Sequence, residues 1–118
     1  MRSGPLSMIV APLLIVGSGI ASAHAFLDRA DPRVGSTVTA APHEVALSFT
    51  QNLEPAFSTV EVTDSQGRRV DQGTRSIAGN VMRVPLQPIA PGTYRVKWHV
   101  LSVDTHATEG AYTFEVRP

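Results

Sequence analysis

The chain reads as an all-β domain, a small immunoglobulin-like sandwich or barrel of about seven strands joined by Greek-key-length links, and three observations point there. Apolar and polar residues alternate with period two in one segment after another, as half-buried strands of an antiparallel sheet require. Clusters of Gly, Pro, Asn, Asp and Ser punctuate those segments at short intervals. No stretch combines helix caps with an apolar repeat of 3.6 residues.

Residues 1–23 have the layout of a cleavable secretory leader. Arg2 supplies the positive start, Leu6 to Val16 is mostly apolar, and small residues run from Gly17 to Ala21-Ser22-Ala23. Pro12 and Gly17-Ser18-Gly19 interrupt the apolar run, which falls short of the roughly 18 consecutive apolar residues of a membrane span. Release into the periplasm or outside the cell is therefore expected. Two cuts are open. Cleavage after Ala23 uses a triplet that is small throughout and makes His24 the first residue; cleavage after Ala25, through Ala23-His24-Ala25, discards His24 and leaves Phe26 first. The former is preferred, giving one domain over residues 24–118.

Within that domain the strands follow in order. Val45, Leu47 and Phe49 alternate with Ala46 and Ser48, and Val60 and Val62 with Glu61 and Thr63. Val81, Val84 and Leu86 form a less regular third segment. Tyr94, Val96 and Trp98 alternate with Arg95, Lys97 and His99, and Tyr112, Phe114 and Val116 with Thr113, Glu115 and Arg117. The turns fall at Asp31-Pro32, Gly35-Ser36, Ala41-Pro42, Asp64 to Gly67, Ala78-Gly79-Asn80 and Pro91-Gly92. Asn52 to Pro55 has room for one short helical turn. Trp98 and Phe114 are the expected core anchors.

Composition narrows the chemistry. Lys plus Arg and Asp plus Glu each number 10, and without Arg2 the balance is almost neutral. There is no basic stripe to neutralise phosphates, so nucleic acid is not an expected partner. The chain has no cysteine, which removes disulfides and thiolate metal sites. Any metal must be held by nitrogen and oxygen. Ser102 stands near His106 and Asp104, but no nucleophile elbow surrounds it.

The informative residues are Asp104 and His106, in the link between the Tyr94–Val100 and Gly110–Val116 strands. Two apart on an extended segment, they face one side and can converge on one point. If the start of the chain lies alongside, His24 adds its α-amine and its imidazole. The resulting three nitrogens and one oxygen suit Cu(II), which stands at the top of the divalent affinity order. An α-amine with an ordinary pKa of about 7.7–8.0 loses its proton to a metal readily near neutral pH. Other readings stand beside this one: a mobile terminal His24, an Asp104 that only caps its own turn, and a solitary surface His106. His43 and His99 read as a loop and a surface residue.

His24, Ser48-Phe49-Thr50-Gln51-Asn52-Leu53, Pro91-Gly92-Thr93-Tyr94-Arg95-Val96-Lys97-Trp98 and Ser102-Val103-Asp104-Thr105-His106, followed by Gly110 and Tyr112-Thr113-Phe114, together resemble the CopC family of periplasmic copper-binding proteins. The resemblance runs across nearly the whole of residues 24–118. It implies an immunoglobulin-like Greek-key β-barrel and a site for one Cu(II) ion in which His24 gives the amine and imidazole, His106 the second imidazole and Asp104 the carboxylate. Some members carry an acidic residue where this chain has Gln51, so a second carboxylate ligand is not carried over. Some also hold Cu(I) on a methionine-rich loop. Of three methionines here, Met1 and Met8 lie in the leader and Met82 alone remains, too few for a thioether site.

Three functions follow as expectations. The first is a non-enzymatic copper carrier that buffers Cu(II) outside the cytoplasmic membrane or passes it to a membrane copper transporter. The second is a histidine-brace copper oxidase, disfavoured by the few aromatic residues and by Asp104 standing where oxygen would bind. The third is a metal-free immunoglobulin-like module that binds another protein and needs neither His24 nor His106.

Overall fold

The computed structural model describes residues 25–118; the expected leader and His24 lie outside the described residues. Eight strands form: β1 (Leu27–Asp31), β2 (Thr37–Val38), β3 (Glu44–Phe49), β4 (Thr59–Thr63), β5 (Ser76–Ala78), β6 (Val81–Pro85), β7 (Gly92–Leu101) and β8 (Ala107–Val116). Among the described residues a 3-10 turn, Pro55–Phe57, sits before β4 and overlaps at Pro55 the segment where the sequence allows a short turn. The strands make two four-stranded sheets, ordered β1-β3-β6-β5 and β2-β8-β7-β4. All pairings are antiparallel except β2 with β8. This is the expected all-β sandwich.

Period two decides which residues enter the core. Val45, Leu47 and Phe49 of β3 are buried, as are Val60 and Val62 of β4, and Tyr94, Val96, Trp98 and Val100 of β7 face Tyr112, Phe114 and Val116 of β8. In β6 the inward set is Met82 and Val84, continued by Leu86, and Val81 is only half-buried. The sequence reading that aligned Val81 with Val84 and Leu86 is thus corrected, because positions 82, 84 and 86 share one parity. Met82 becomes fully buried core, which takes its sulfur away from the surface.

Aromatic rings pack within the β7–β8 sheet, and Phe49 of β3 meets them from the other sheet. Phe49 meets Trp98 edge-on at 6.2 Å between ring centroids, Trp98 lies tilted against Tyr112 at 6.3 Å, and Tyr94 stacks on Phe114 at 5.6 Å. Tyr94 Oη donates to the carbonyl of Ala90 at 2.5 Å, just across the Pro91-Gly92 turn, a tyrosine corner of the kind found in immunoglobulin-like domains. Tyr112 Oη donates to Pro32 O at 2.8 Å. Burial, with the nearby Asp31 charge, pushes that phenol well above its ordinary value, so it remains a donor.

Gly110 shows what this packing requires. It lies opposite Trp98 in the β7–β8 ladder, and a Cβ added there would stand 2.5 Å from Trp98 Cζ2. The indole is confined by Phe49 and Tyr112 and has little room to yield. Gly110→Ala is expected to cost about 1–3 kcal/mol through overpacking. A thermal melt checks this, since each 1 kcal/mol lowers Tm by about 4–8 °C in a domain of this size; an unchanged Tm would contradict the contact.

Candidate metal centre

Ser102 to His106 join β7 to β8 as a tight turn, and this alters the reason why Asp104 and His106 meet. An extended segment was expected; instead the chain reverses. Thr105 N–H donates to Ser102 O at 2.9 Å, and Ser102 N–H donates to His106 O at 3.0 Å, closing the neck of the loop. Thr105 sits between the two donors at a φ of 69°, a left-handed conformation that a β-branched residue adopts rarely. The convergence inferred from sequence is present all the same: His106 Nδ1 stands 3.3 Å from Asp104 Oδ1.

Both side chains reach solvent, with Asp104 38 % and His106 49 % exposed. The Ser102 hydroxyl donates to Asp104 Oδ1. That bond holds the Asp104 carboxyl below its ordinary value, against desolvation, which pushes it up, and with help from the neighbouring His106. The carboxylate is therefore ionised well below neutral pH.

The beginning of the described chain is fastened to the same end of the sandwich. Ala25 is fully buried, and its carbonyl accepts a 2.6 Å hydrogen bond from Thr108 Oγ1, two residues beyond His106. Phe26 N–H donates to Thr50 Oγ1, and Thr50 N–H returns a bond to Phe26 O, both at 2.9 Å. The Thr50 to Glu54 segment then laces onto the turn: Val103 N–H donates to Asn52 O at 3.0 Å, Glu54 N–H donates to Leu101 O at 2.8 Å, and Leu53 bridges Ser102. The Ser48 to Leu53 motif is thus the strip of backbone between the chain start and the Asp104–His106 turn. Thr50 and Thr108 were not singled out by sequence, because hydroxyls that tie together distant backbone leave no local pattern.

The pair fits a first-row metal ion. Such ions hold imidazole nitrogen and carboxylate oxygen at about 2.0–2.2 Å, so donors on adjacent corners stand roughly 3 Å apart. The observed 3.3 Å needs little adjustment. Two donors alone make a weak site, and among the described residues no group of three or more His, Asp or Glu gathers. Gln51 is half-buried within the lacing strip. His43 is exposed in the loop before β3, and His99 is exposed on the outer face of its sheet, paired with Thr59 and Glu109. A cavity of about 300 Å³, lined by residues including Glu61, Arg69, Arg75 and His99, shares no residue with the turn.

Fold and donors define a class: a small immunoglobulin-like sandwich with an oxygen and nitrogen donor pair displayed on one end turn, beside the start of the domain. Comparison with known proteins agrees and goes further. The family model described as CopC domain matches residues 27–117, and the chain belongs to the CopC family. It is 36% identical over 99 residues to Protein YobA of Escherichia coli K12, covering 80% of each chain. It is 31% identical over 122 residues to copper resistance protein C of Xanthomonas campestris pv. juglandis, covering 92% of this chain and 95% of that one. A 31% match covers 80% of this chain but 18% of the copper transport protein CutJ of Bacillus subtilis. Among solved structures, CopC from Methylosinus trichosporium OB3b superposes with a TM-score of 0.72 at 37% identity, covering 80% of this chain and 95% of that one. The function is accordingly copper-related.

Proposed function

We propose that the protein is exported, cut after Ala23, and then captures one Cu(II) ion with the amine and imidazole of His24, the imidazole of His106 and the carboxylate of Asp104. It buffers the ion outside the cytoplasmic membrane and hands it to a membrane copper transporter, without catalysis. The observation that carries this reading is the Asp104–His106 pair, 3.3 Å apart, in the turn that leads into β8, whose Thr108 fastens the carbonyl of Ala25.

The same bond supports the choice of cut. Cleavage after Ala25 would remove a fully buried residue and the carbonyl that Thr108 holds, whereas cleavage after Ala23 leaves both in place. Support for copper as cargo comes from relatives named for copper resistance and copper transport. The match to a segment of CutJ favours a transporter as recipient. Open, half-exposed ligands suit an ion that must be taken up and given away.

Titration of residues 24–118 with Cu(II) tests the proposal. One equivalent is expected, bound more tightly at pH 7 than at pH 5, because acid protonates imidazoles and the amine, which must be free to bind. Absence of saturable uptake, or uptake indifferent to pH, would overturn it. Steady oxygen consumption by the copper-loaded protein with ascorbate would move it to the oxidase class.

A further inference from the structure

We infer that Ser102 is the positioning residue of the copper site, setting its affinity through a single buried hydroxyl; this rests on the Cu(II) reading above. Ser102 is fully buried, where a hydroxyl is costly unless its hydrogen bonds are used. A serine hydroxyl has one proton to give and two lone pairs. The proton goes to Asp104 Oδ1, and a lone pair receives His106 N–H at 3.3 Å. One oxygen thereby grips the side chain of one donor and the main chain of the other.

The rest of the neck completes the grip. Ser102 N–H holds His106 O at 3.0 Å, and Ser102 itself is bridged to Leu53. Removing the hydroxyl frees the carboxylate to turn toward water and takes away the oxygen that faces His106 N–H. Partners that orient metal ligands in this way typically contribute 10–100-fold in affinity. Ser102 has no need to touch the ion to do so.

A neighbouring serine provides the control. Ser58 is also fully buried, and its Oγ accepts Leu101 N–H at 3.1 Å. It braces the same end of β7, and its hydroxyl bonds with the backbone of Leu101 rather than with Asp104 or His106.

The experiment measures Cu(II) affinity, by competition with a chromophoric chelator, and the electron paramagnetic resonance spectrum of wild type, Ser102→Ala, Ser102→Thr and Ser58→Ala, with thermal melts to establish folding. Ser102→Ala is expected to bind about 10–100-fold more weakly with altered copper hyperfine splitting. Ser58→Ala should lose Tm yet keep both wild-type affinity and spectrum. Ser102→Thr, which retains the hydroxyl, should restore the wild-type spectrum and decides the matter if the alanine variant fails to fold. An unchanged affinity in folded Ser102→Ala, or an equal loss in Ser58→Ala, overturns the assignment to Ser102 while leaving the copper reading intact. A wild type that takes up no Cu(II) overturns both.

Discussion

Replacing His24 with Ala is expected to weaken Cu(II) binding by on the order of 10³-fold, about 4 kcal/mol. The α-amine and imidazole of one residue bind as a chelate, so the second nitrogen attaches without a further loss of translational freedom; alanine leaves the amine as a single-point ligand. Stability should change little, because the bonds that Ala25 makes with Thr108 and Phe26 makes with Thr50 are retained in this variant. Competition with a chelator of known affinity measures the loss. A change of less than tenfold would show that the terminus is not a ligand.

The second large effect is structural and lies far from the turn. Asp71 is buried, 4 % exposed, and its carboxylate accepts Val62 N–H at 2.8 Å, Gly73 N–H at 2.9 Å and two bonds from the Arg69 guanidinium at 2.8 and 3.2 Å. β4 is the outer strand of its sheet, and Val62 N–H points away from β7. Asp71 satisfies this edge amide and pins the loop beside it, a way of closing an edge that would otherwise invite pairing with another chain. Asp71→Ala strips all four donors of their acceptor. Arg69 is half exposed and recovers some solvation, so a loss of roughly 2–4 kcal/mol is expected. In Tm that is a drop of at least about 8 °C.

The acid response of Asp71 gives a second readout. Burial pushes its carboxyl up, but the Arg69 guanidinium and the amides of Val62 and Gly73 outweigh this and hold it below the ordinary value. A carboxyl with a lowered folded pKa contributes stability above its unfolded pKa of about 3.9, and that contribution fades as pH falls through the folded value. The wild type should therefore lose Tm on acidification below about pH 4 more steeply than Asp71→Ala. Parallel curves would contradict this assignment.

Legibility in the sequence tracked how much each element depends on its own residues. β3, β7 from Tyr94 onward and β8 from Tyr112 onward announce themselves because every second residue is large, apolar and buried. β1 does not: only Ala30 of Leu27–Asp31 is fully inward, and its strand character comes from pairing with β3. β2 is two residues long and β5 has no fully buried residue, so neither carries a period to detect. In β6 the β-branched Val81 drew attention from Met82, although Val84 and Leu86 already fixed the inward parity.

The site divides in the same manner. Asp104 and His106 were legible because their chemistry and spacing are local. Their juxtaposition, however, depends on a left-handed Thr105 that no sequence rule anticipates for that residue, and on a serine whose nearness to His106 first suggested only a nucleophile to be set aside. The link from Thr108 to Ala25 spans 83 positions and has no signature in either segment. What the sequence supplied was donor identity; what the fold adds is the backbone that brings the donors to the beginning of the domain.

The most direct measurement is the native mass of the protein recovered after export, recorded with and without Cu(II). A chain of residues 24–118 that gains the mass of one copper ion is expected. A chain beginning at Phe26, or one beginning at His24 that gains no copper, would contradict the proposal that a freed His24 completes the site.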